Sequence, residues 1–411
     1  MINIFNRKIV AVLFLGFSSG LPLALSGGTL QAWLTVEEID IKTIGLFSLV
    51  GMPYTLKFLW SPLMDRYVIP ILGRRRGWII ATQLILIGII FWMSITSVQN
   101  GLWMLAFLAF LLTFISASQD IAIDAYRTEV LHEPERGLGV AVSVTGYRVA
   151  MLVSGALALI LSEFIGWRAT YMLMALIMLV GVIATWFGPE PDNPGSPPTS
   201  MKEAVQGPFK EFFSRSGVWS LLGLIILYKM GDAFAGSLTT TFLIRGVNFS
   251  VGEVGAINKG MGLASTIIGA LFGGILMARL RLFKSLLIFG IFQAISNLSF
   301  MFLAIIGKNY PLMIFTIAFE NLAGGMGTAA FLAFLMALCD NRFTATQFAL
   351  LSALASLGRI FVGPVSGVLV DTLGWTTFFF STFLFALPGL LLLFFMKQVV
   401  IGIEKESSNM S

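Results

Sequence analysis

The sequence predicts an all-α membrane protein whose twelve transmembrane helices form two six-helix bundles. Three observations lead there. Hydrophobic residues make up 57% of the 411 and charged ones 11%, where soluble domains carry roughly 25% charged. The apolar runs are continuous, without the apolar/polar alternation of a membrane β-barrel. The second half of the chain also repeats features of the first in the same order.

The spans follow in order, each near the 20 residues that cross a bilayer. The first, 8–34, opens after Arg7 and Lys8 like a signal peptide, but its apolar run continues past Pro22 to Trp33 and is expected to stay as a helix. The second (43–63) and third (78–97) are joined by "DRYVIPILGRRR". The fourth, 102–127, carries "SASQDIAIDAY", and the fifth, 138–162, carries "GYRVAMLVSG". Gly166-Trp167 precedes the sixth, 168–187. The seventh, 218–244, contains "YKMGDAFAG"; the eighth, 252–278, contains "NKGMG" and is joined by "ARLRLFK" to the ninth, 283–306. The tenth, 311–338, holds "FENLAGGMGT", whose glycines suit close helix packing. The eleventh, 344–370, holds "GRIFVGPVSG", and Gly374-Trp375 leads into the twelfth, 375–396. The basic loop, the arginine before Ser-Gly and the Gly-Trp pair thus recur, which indicates duplication. The expected division is a bundle at 1–187, a cytoplasmic linker at 188–217 rich in Pro, Gly and Ser, and a bundle with a short tail at 218–411.

With the N-terminus inside, 17 Lys and Arg fall in inside segments and 4 in outside loops. This asymmetry predicts both termini in the cytoplasm. The formal charge of +5 then reflects topology and gives no reason to expect nucleic acid. Cys339 is alone and His132 is the only histidine, so the common catalytic triads and metal sites cannot be built, and neither HExxH nor GxSxG occurs. No enzyme activity, cofactor or metal is expected.

Nine ionisable residues lie inside the spans: Lys57, Arg148, Lys229, Lys259 and Arg359 against Asp120, Asp124, Asp232 and Glu320. At about 2.5–3.5 kcal/mol each, they would cost very roughly 25 kcal/mol unpaired, so they must face one another or a hydrated cavity. Five cations against four acids favour an anionic guest. Arg148 and Arg359 sit at equivalent mid-span positions, and their guanidinium forks suit carboxylates; the alternative is that each is neutralised by an acid on a neighbouring helix. Lys229 and Asp232 are three apart, as in a local ion pair. Lys259 and Glu320, the latter next to Asn321, suit a pair between helices, and Lys57 is placed to snorkel. Asp65 beside Arg66 in the loop after the second span reads as a gating or structural pair. Asp120 and Asp124 share a helix face, where crowding and burial favour proton uptake by at least one of them. A proton-coupling role and an inner-gate ion pair with Lys57 or Arg148 both remain open from the residues. Gln31, Tyr147, Asn258 and Asn321 are candidate hydrogen-bonding partners by their span positions, and Gln119, Lys229, Lys259 and Glu320 are further candidate substrate-binding residues.

Two six-helix repeats with a cytoplasmic linker resemble the major facilitator fold, and "SPLMDRYVIPILGRRR" is similar to a stretched form of that superfamily's loop between its second and third helices. More specifically, "LSGGTLQAWLTVEEIDIKTIGLFSLVG", "KFLWSPLMDRY", "SQDIAIDAY", "GYRVAMLVSG", "YKMGDAFAGSLTTTFLIRG", "FENLAGGMGT" and "ATQFALLSALASLGR" together resemble the bacterial anhydromuropeptide permeases of AmpG type. The resemblance implies an inner-membrane symporter that brings GlcNAc-1,6-anhydroMurNAc peptides into the cytoplasm for peptidoglycan recycling, driven by protons. It implies that the family's fourth-helix acidic pair is Asp120 and Asp124, with Gln119 preceding it. An anionic muropeptide, protons and the bilayer are then the partners, with no obligate protein partner and a monomer expected. Some members of the family carry further hydrophobic helices after the twelfth span, where this chain has "EKESSNMS". A multidrug antiporter of the same fold is the nearest rival, though lipophilic cations match an excess of positive charge poorly.

Overall fold

The computed structural model describes residues 6–61, 64, 67, 69, 72–131, 136–190, 217–338 and 344–409, with 74, 136–138, 278, 344–350, 357–359 and 405–409 described by backbone alone. The described residues contain nine helical segments long and apolar enough to cross a membrane. Two of these, Gly139–Phe187 with 49 residues and Leu351–Phe395 with 45, are more than twice the length that a ~30 Å hydrocarbon core requires. Each is turned at one glycine. Gly166 (φ 76°) and Gly374 (φ 75°) adopt a left-handed backbone that only glycine takes without strain, turning the chain at both repeated Gly-Trp pairs. Trp167 then stacks on Trp33, and Trp375 packs on Phe242. Counting those two segments twice, eleven of the twelve predicted spans fall on such segments among the described residues.

The second span differs. Instead of one helix over 43–63 it forms short helices at Ile41–Leu46 and Met52–Leu56 separated by tighter turns. Pro53 lacks the N–H that would continue the hydrogen-bond ladder, so the chain restarts there with Pro53 in the first turn. Asp40 caps the earlier piece, its carboxylate accepting from the Thr43 N–H at 2.9 Å. Slight burial pushes the Asp40 carboxyl up, but the Thr43 bonds outweigh it and hold its pKa below the ordinary value.

The chain clusters into two compact units. Unit 1 comprises Met1–Glu38, Val50–Thr199 and Val251–Ala256; unit 2 comprises Ile39–Leu49, Ser200–Ser250 and Ile257–Ser411. In unit 1, α1 (Arg7–Ser26) continues after a break into α2 (Gly28–Val36), followed by α3 (Arg74–Ile95), α4 (Val98–Val130), α5 (Arg136–Met151), α6 (Ala158–Ile177) and α7 (Leu179–Phe187). α1 packs directly on α5: a side chain at Gly16 would strike the Ser143 carbonyl. The inner core gathers Ile9, Val12, Leu15, Ile79, Ile123 and Tyr126.

In unit 2, α8 (Val218–Tyr228) and α9 (Met230–Ser237) meet at Lys229, and α10 (Gly262–Leu280), α11 (Leu282–Ile306), α12 (Tyr310–Ala337) and α13 (Thr344–Phe395) follow. The "AGGMG" glycines serve packing, as Gly325 lies against the Thr266 carbonyl of α10. The core of unit 2 is built on Leu224, Ile225, Phe289, Phe334 and Leu393. Residues 39–49 belong to this unit and lie along α13, where the Ser48 hydroxyl donates to the Ile360 carbonyl at 3.0 Å and Lys42 pairs with Asp371 at 2.7 Å.

Candidate functional site

In unit 1 the polar side chains converge on Asp120, in the C-terminal half of α4. Its side chain is 14% exposed. One carboxylate oxygen accepts from the Ser19 hydroxyl of α1 at 2.5 Å; the other lies 3.9 Å from the Lys57 ammonium. A mostly buried carboxylate is thus held by one neutral donor and one cation at the edge of ion-pair range, each from a different helical segment. Asp124, one turn further, is in different surroundings. It is 55% exposed and pairs with Arg127 on its own helix at 2.9 Å, while Arg127 also donates to Ser143 at 3.1 Å. The two acids that sequence spacing puts on one face are therefore separated by depth.

Tyr147 and Arg148 are half-buried on α5, just before a π-helical turn at Leu152–Leu157. Arg148 reaches the Met151 sulfur at 3.9 Å, and among the described residues no carboxylate lies within the 4.0 Å of an ion pair. Gln119 is fully buried. Its side-chain amide donates to Ser18 at 2.9 Å, and Ser18 also accepts from Gln83, which in turn accepts from Thr185. That network ties α1, α3, α4 and α7 together and turns Gln119 into the helix packing. Gln31 is half-buried on α2, its carbonyl accepting from the Thr35 hydroxyl. Asp65 and Arg66 lie outside the described residues, as does the side chain of Arg359.

Unit 2 holds the second cluster. Lys229, at the joint of α8 and α9, is 9% exposed, lies 3.4 Å from the Asp232 carboxylate and donates to the Thr328 hydroxyl at 3.1 Å. Glu320 accepts from the Asn321 side-chain amide at 2.6 Å, and the Asn321 oxygen accepts from Thr266 at 2.9 Å. Asn258 and Lys259 sit in another π-helical turn, Gly255–Met261, a distortion that recurs at functional positions. The Asn258 side-chain nitrogen is buried without a protein partner, and among the described residues no carboxylate is within ion-pair distance of Lys259. The expected Lys259–Glu320 contact is therefore not made.

Sequence reasoning passed over Ser19, Thr328 and Gln293. Ser19 follows another serine in an otherwise apolar helix; Thr328 falls eight residues after Glu320, on the same helical face. Gln293 is 5% exposed with an unpartnered amide nitrogen, and Gly324 separates it from Asp232.

Unit 1 thus holds a carboxylate between a hydroxyl and a lysine at Asp120 and a guanidinium at Arg148 without a carboxylate partner among the described residues, and unit 2 holds a lysine, Lys259, in the same condition. The model of the Major Facilitator Superfamily matches residues 9–308. The chain is 54% identical over 401 residues to the anhydromuropeptide permease of Escherichia coli strain K12, covering 97% of this chain and 82% of the relative. It is 36% identical over 419 residues to an uncharacterized protein of Haemophilus influenzae, covering 99% and 98%. Among solved structures it is similar in fold to a bacterial homologue of the lysosomal transporter Spinster in an inward-facing, unoccupied conformation (TM-score 0.70, 15% identity, 97% and 96% covered). It is also similar to a D-xylose–proton symporter (TM-score 0.69, 13% identity, 96% and 97% covered).

Proposed function

Because this chain belongs to the Major Facilitator Superfamily, within its branch of anhydromuropeptide permeases, we propose that it imports GlcNAc-1,6-anhydroMurNAc peptides from periplasm to cytoplasm in symport with protons, by alternating access. The protein is a multi-pass membrane transporter. In this reading it resides in the bacterial inner membrane as a monomer with both termini cytoplasmic, as the 17-to-4 distribution of basic residues supports. Its halves, 1–187 and 218–411, are the two repeats, joined by the linker at 188–217.

Asp120 carries the transported proton. The observation that bears this reading is its pairing: a mostly buried carboxylate with a hydroxyl at 2.5 Å and a lysine only at 3.9 Å keeps an acid that conformational change can charge and discharge. Asp124, exposed and paired with Arg127, serves proton release. The carboxylates of the stem peptide are met by Arg148, Arg359 and Lys259, and the uncharged sugar and amide groups by Gln31, Tyr147, Asn258 and Asn321, while Lys229 stays committed to Asp232. Arg148 and Lys259, without ion-pair partners among the described residues, support an anionic cargo directly.

The test is uptake of labelled anhydromuropeptide into right-side-out and inverted vesicles, with and without a protonophore. Accumulation that has one direction and collapses with the protonophore is expected. Uptake indifferent to the protonophore overturns proton coupling, and export from right-side-out vesicles overturns import.

A further inference from the structure

Away from the acid–base clusters, α1 and α7 lie side by side in unit 1 and leave an apolar cavity of about 210 Å3. It lies where α1 begins and α7 ends. Arg7 and Phe187 stand at that end, and Val10, Phe14, Val180 and Ile183 continue the lining away from it. Arg7 to Phe14 is seven residues of helix, about 10 Å, or roughly two-thirds of the ~15 Å depth of one leaflet's hydrocarbon. Val10, Phe14 and Ile183 are exposed to the surroundings of the protein, as are Trp186 and Phe187 at the mouth. Aromatic rings at this depth mark the junction of headgroups and hydrocarbon.

The charge at the mouth is one-sided. The Arg7 Nε donates to the Phe187 carbonyl at 2.7 Å, which caps the end of α7 and fixes the guanidinium over the cavity. Its two Nη groups have no carboxylate within ion-pair range among the described residues. Arg76 caps the same helix end through the Thr185 and Trp186 carbonyls and takes Glu190 at 3.1 Å, the one described carboxylate at this mouth. An apolar cavity stays dry and takes hydrocarbon, while a fixed guanidinium fork at its rim suits a phosphate.

We propose that this groove binds one anionic phospholipid, with an acyl chain along Val10, Phe14, Val180 and Ile183 and the headgroup phosphate on the Arg7 Nη groups. The headgroup belongs to the leaflet at this end of the helices, cytoplasmic in the topology proposed above. The bound lipid braces the start of α1 against the end of α7, the contact that Arg7 alone makes through the Phe187 carbonyl.

The experiment is native mass spectrometry of the purified full chain in nonionic detergent with equimolar phosphatidylglycerol and phosphatidylcholine. Wild type is expected to retain phosphatidylglycerol about fivefold over phosphatidylcholine, the share of one basic residue near an anionic headgroup. Arg7→Ala should bind both lipids equally, Val10→Trp should lose both, and sn-glycerol 3-phosphate should displace neither. A wild type without preference, an Arg7→Ala variant that keeps it, or a Val10→Trp variant that binds as wild type overturns the proposal. Displacement by sn-glycerol 3-phosphate also overturns it, because the site then takes a free phosphate. Arg7 is exposed and outside the core, so its variant tests the headgroup contact even if Val10→Trp folds poorly.

Discussion

Asp120 in unit 1 and Asp232 in unit 2 are both carboxylates set in apolar helices with a lysine in reach, yet they are held differently. Asp232 and Lys229 are three residues apart, 3.4 Å from each other, and the 9% exposed lysine has Thr328 as a second partner. Asp120 takes its partners from elsewhere in the sequence, Ser19 at 2.5 Å and the half-exposed Lys57 at 3.9 Å. A pair made within one stretch of chain moves with it and stays neutral however the helices shift. A pair drawn from three segments is remade whenever those segments move, so its charge state can follow conformation. The first arrangement lets a charge be buried; the second lets it be used.

The comparison is broken most directly at Asp120. Asp120→Asn keeps the size of the side chain and a group for Ser19 to bond, so the protein should insert normally while protonophore-sensitive accumulation falls to background. Exchange of labelled for unlabelled muropeptide across the membrane should persist, because it needs no net proton movement. Normal accumulation by the variant would end the coupling role. The matching change in unit 2 should damage the protein itself. Asp232→Asn leaves the Lys229 ammonium buried without its carboxylate, and stranding one member of a buried pair costs about 3–5 kcal/mol, read as a lowered thermal midpoint of the purified protein. Replacing both residues, Lys229→Met with Asp232→Leu, should recover most of that midpoint, since the partners then leave together. If the double variant is no more stable than Asp232→Asn, the pair is not a closed local unit.

The sequence reached the two acids of α4 and the Lys229–Asp232 pair because helical spacing places residues three and four apart on one face. It did not reach the split in depth between Asp120 and Asp124, which depends on where α4 leaves its neighbours; at Asp124 one side is open and Arg127 closes over it. Ser19 and Thr328 were hidden for another reason. Hydroxyls in apolar helices usually bond to a carbonyl of their own preceding turn, as Thr266 and Ser356 do here, so a serine in such a run carries no signal until its neighbour is known. The paired Gly-Trp turns were legible because a left-handed backbone demands glycine at one residue. The break in the second span came instead from Pro53, which hydropathy alone scores as part of a continuous apolar run. Gln119 shows the opposite error: a polar residue beside the acids faces the packing of four helices.

A smaller effect sharpens the contrast between spare and committed cations. Arg148 has no carboxylate partner among the described residues, whereas Arg127 is committed to Asp124. Arg148→Ala should weaken muropeptide binding about 10–150-fold, the range of one charge-assisted hydrogen bond, measured as Kd on purified protein. A muropeptide with amidated stem-peptide carboxylates should bind the variant and wild type alike. Equal losses for both ligands would make Arg148 a structural residue.

The smallest effect belongs to the most exposed pair. Lys42 and Asp371 are 2.7 Å apart, closer than either buried lysine pair, but 52% and 45% exposed. Water screens such a pair and its side chains lose freedom in forming it, so short distance does not become stability. Hydrogen bonding and attraction from Asp371 hold the Lys42 ammonium above its ordinary pKa. Because the folded value is raised, whatever the pair contributes is fully present below the unfolded pKa and is lost only as pH climbs through the folded one. Lys42→Ala should therefore leave the thermal midpoint within measurement error of wild type, with a difference that stays flat from about pH 6 to 9. A clear drop in midpoint at neutral pH would show that the Ile39–Leu49 segment depends on this pair, rather than on the close backbone packing of Gly45 against the Gly363 carbonyl.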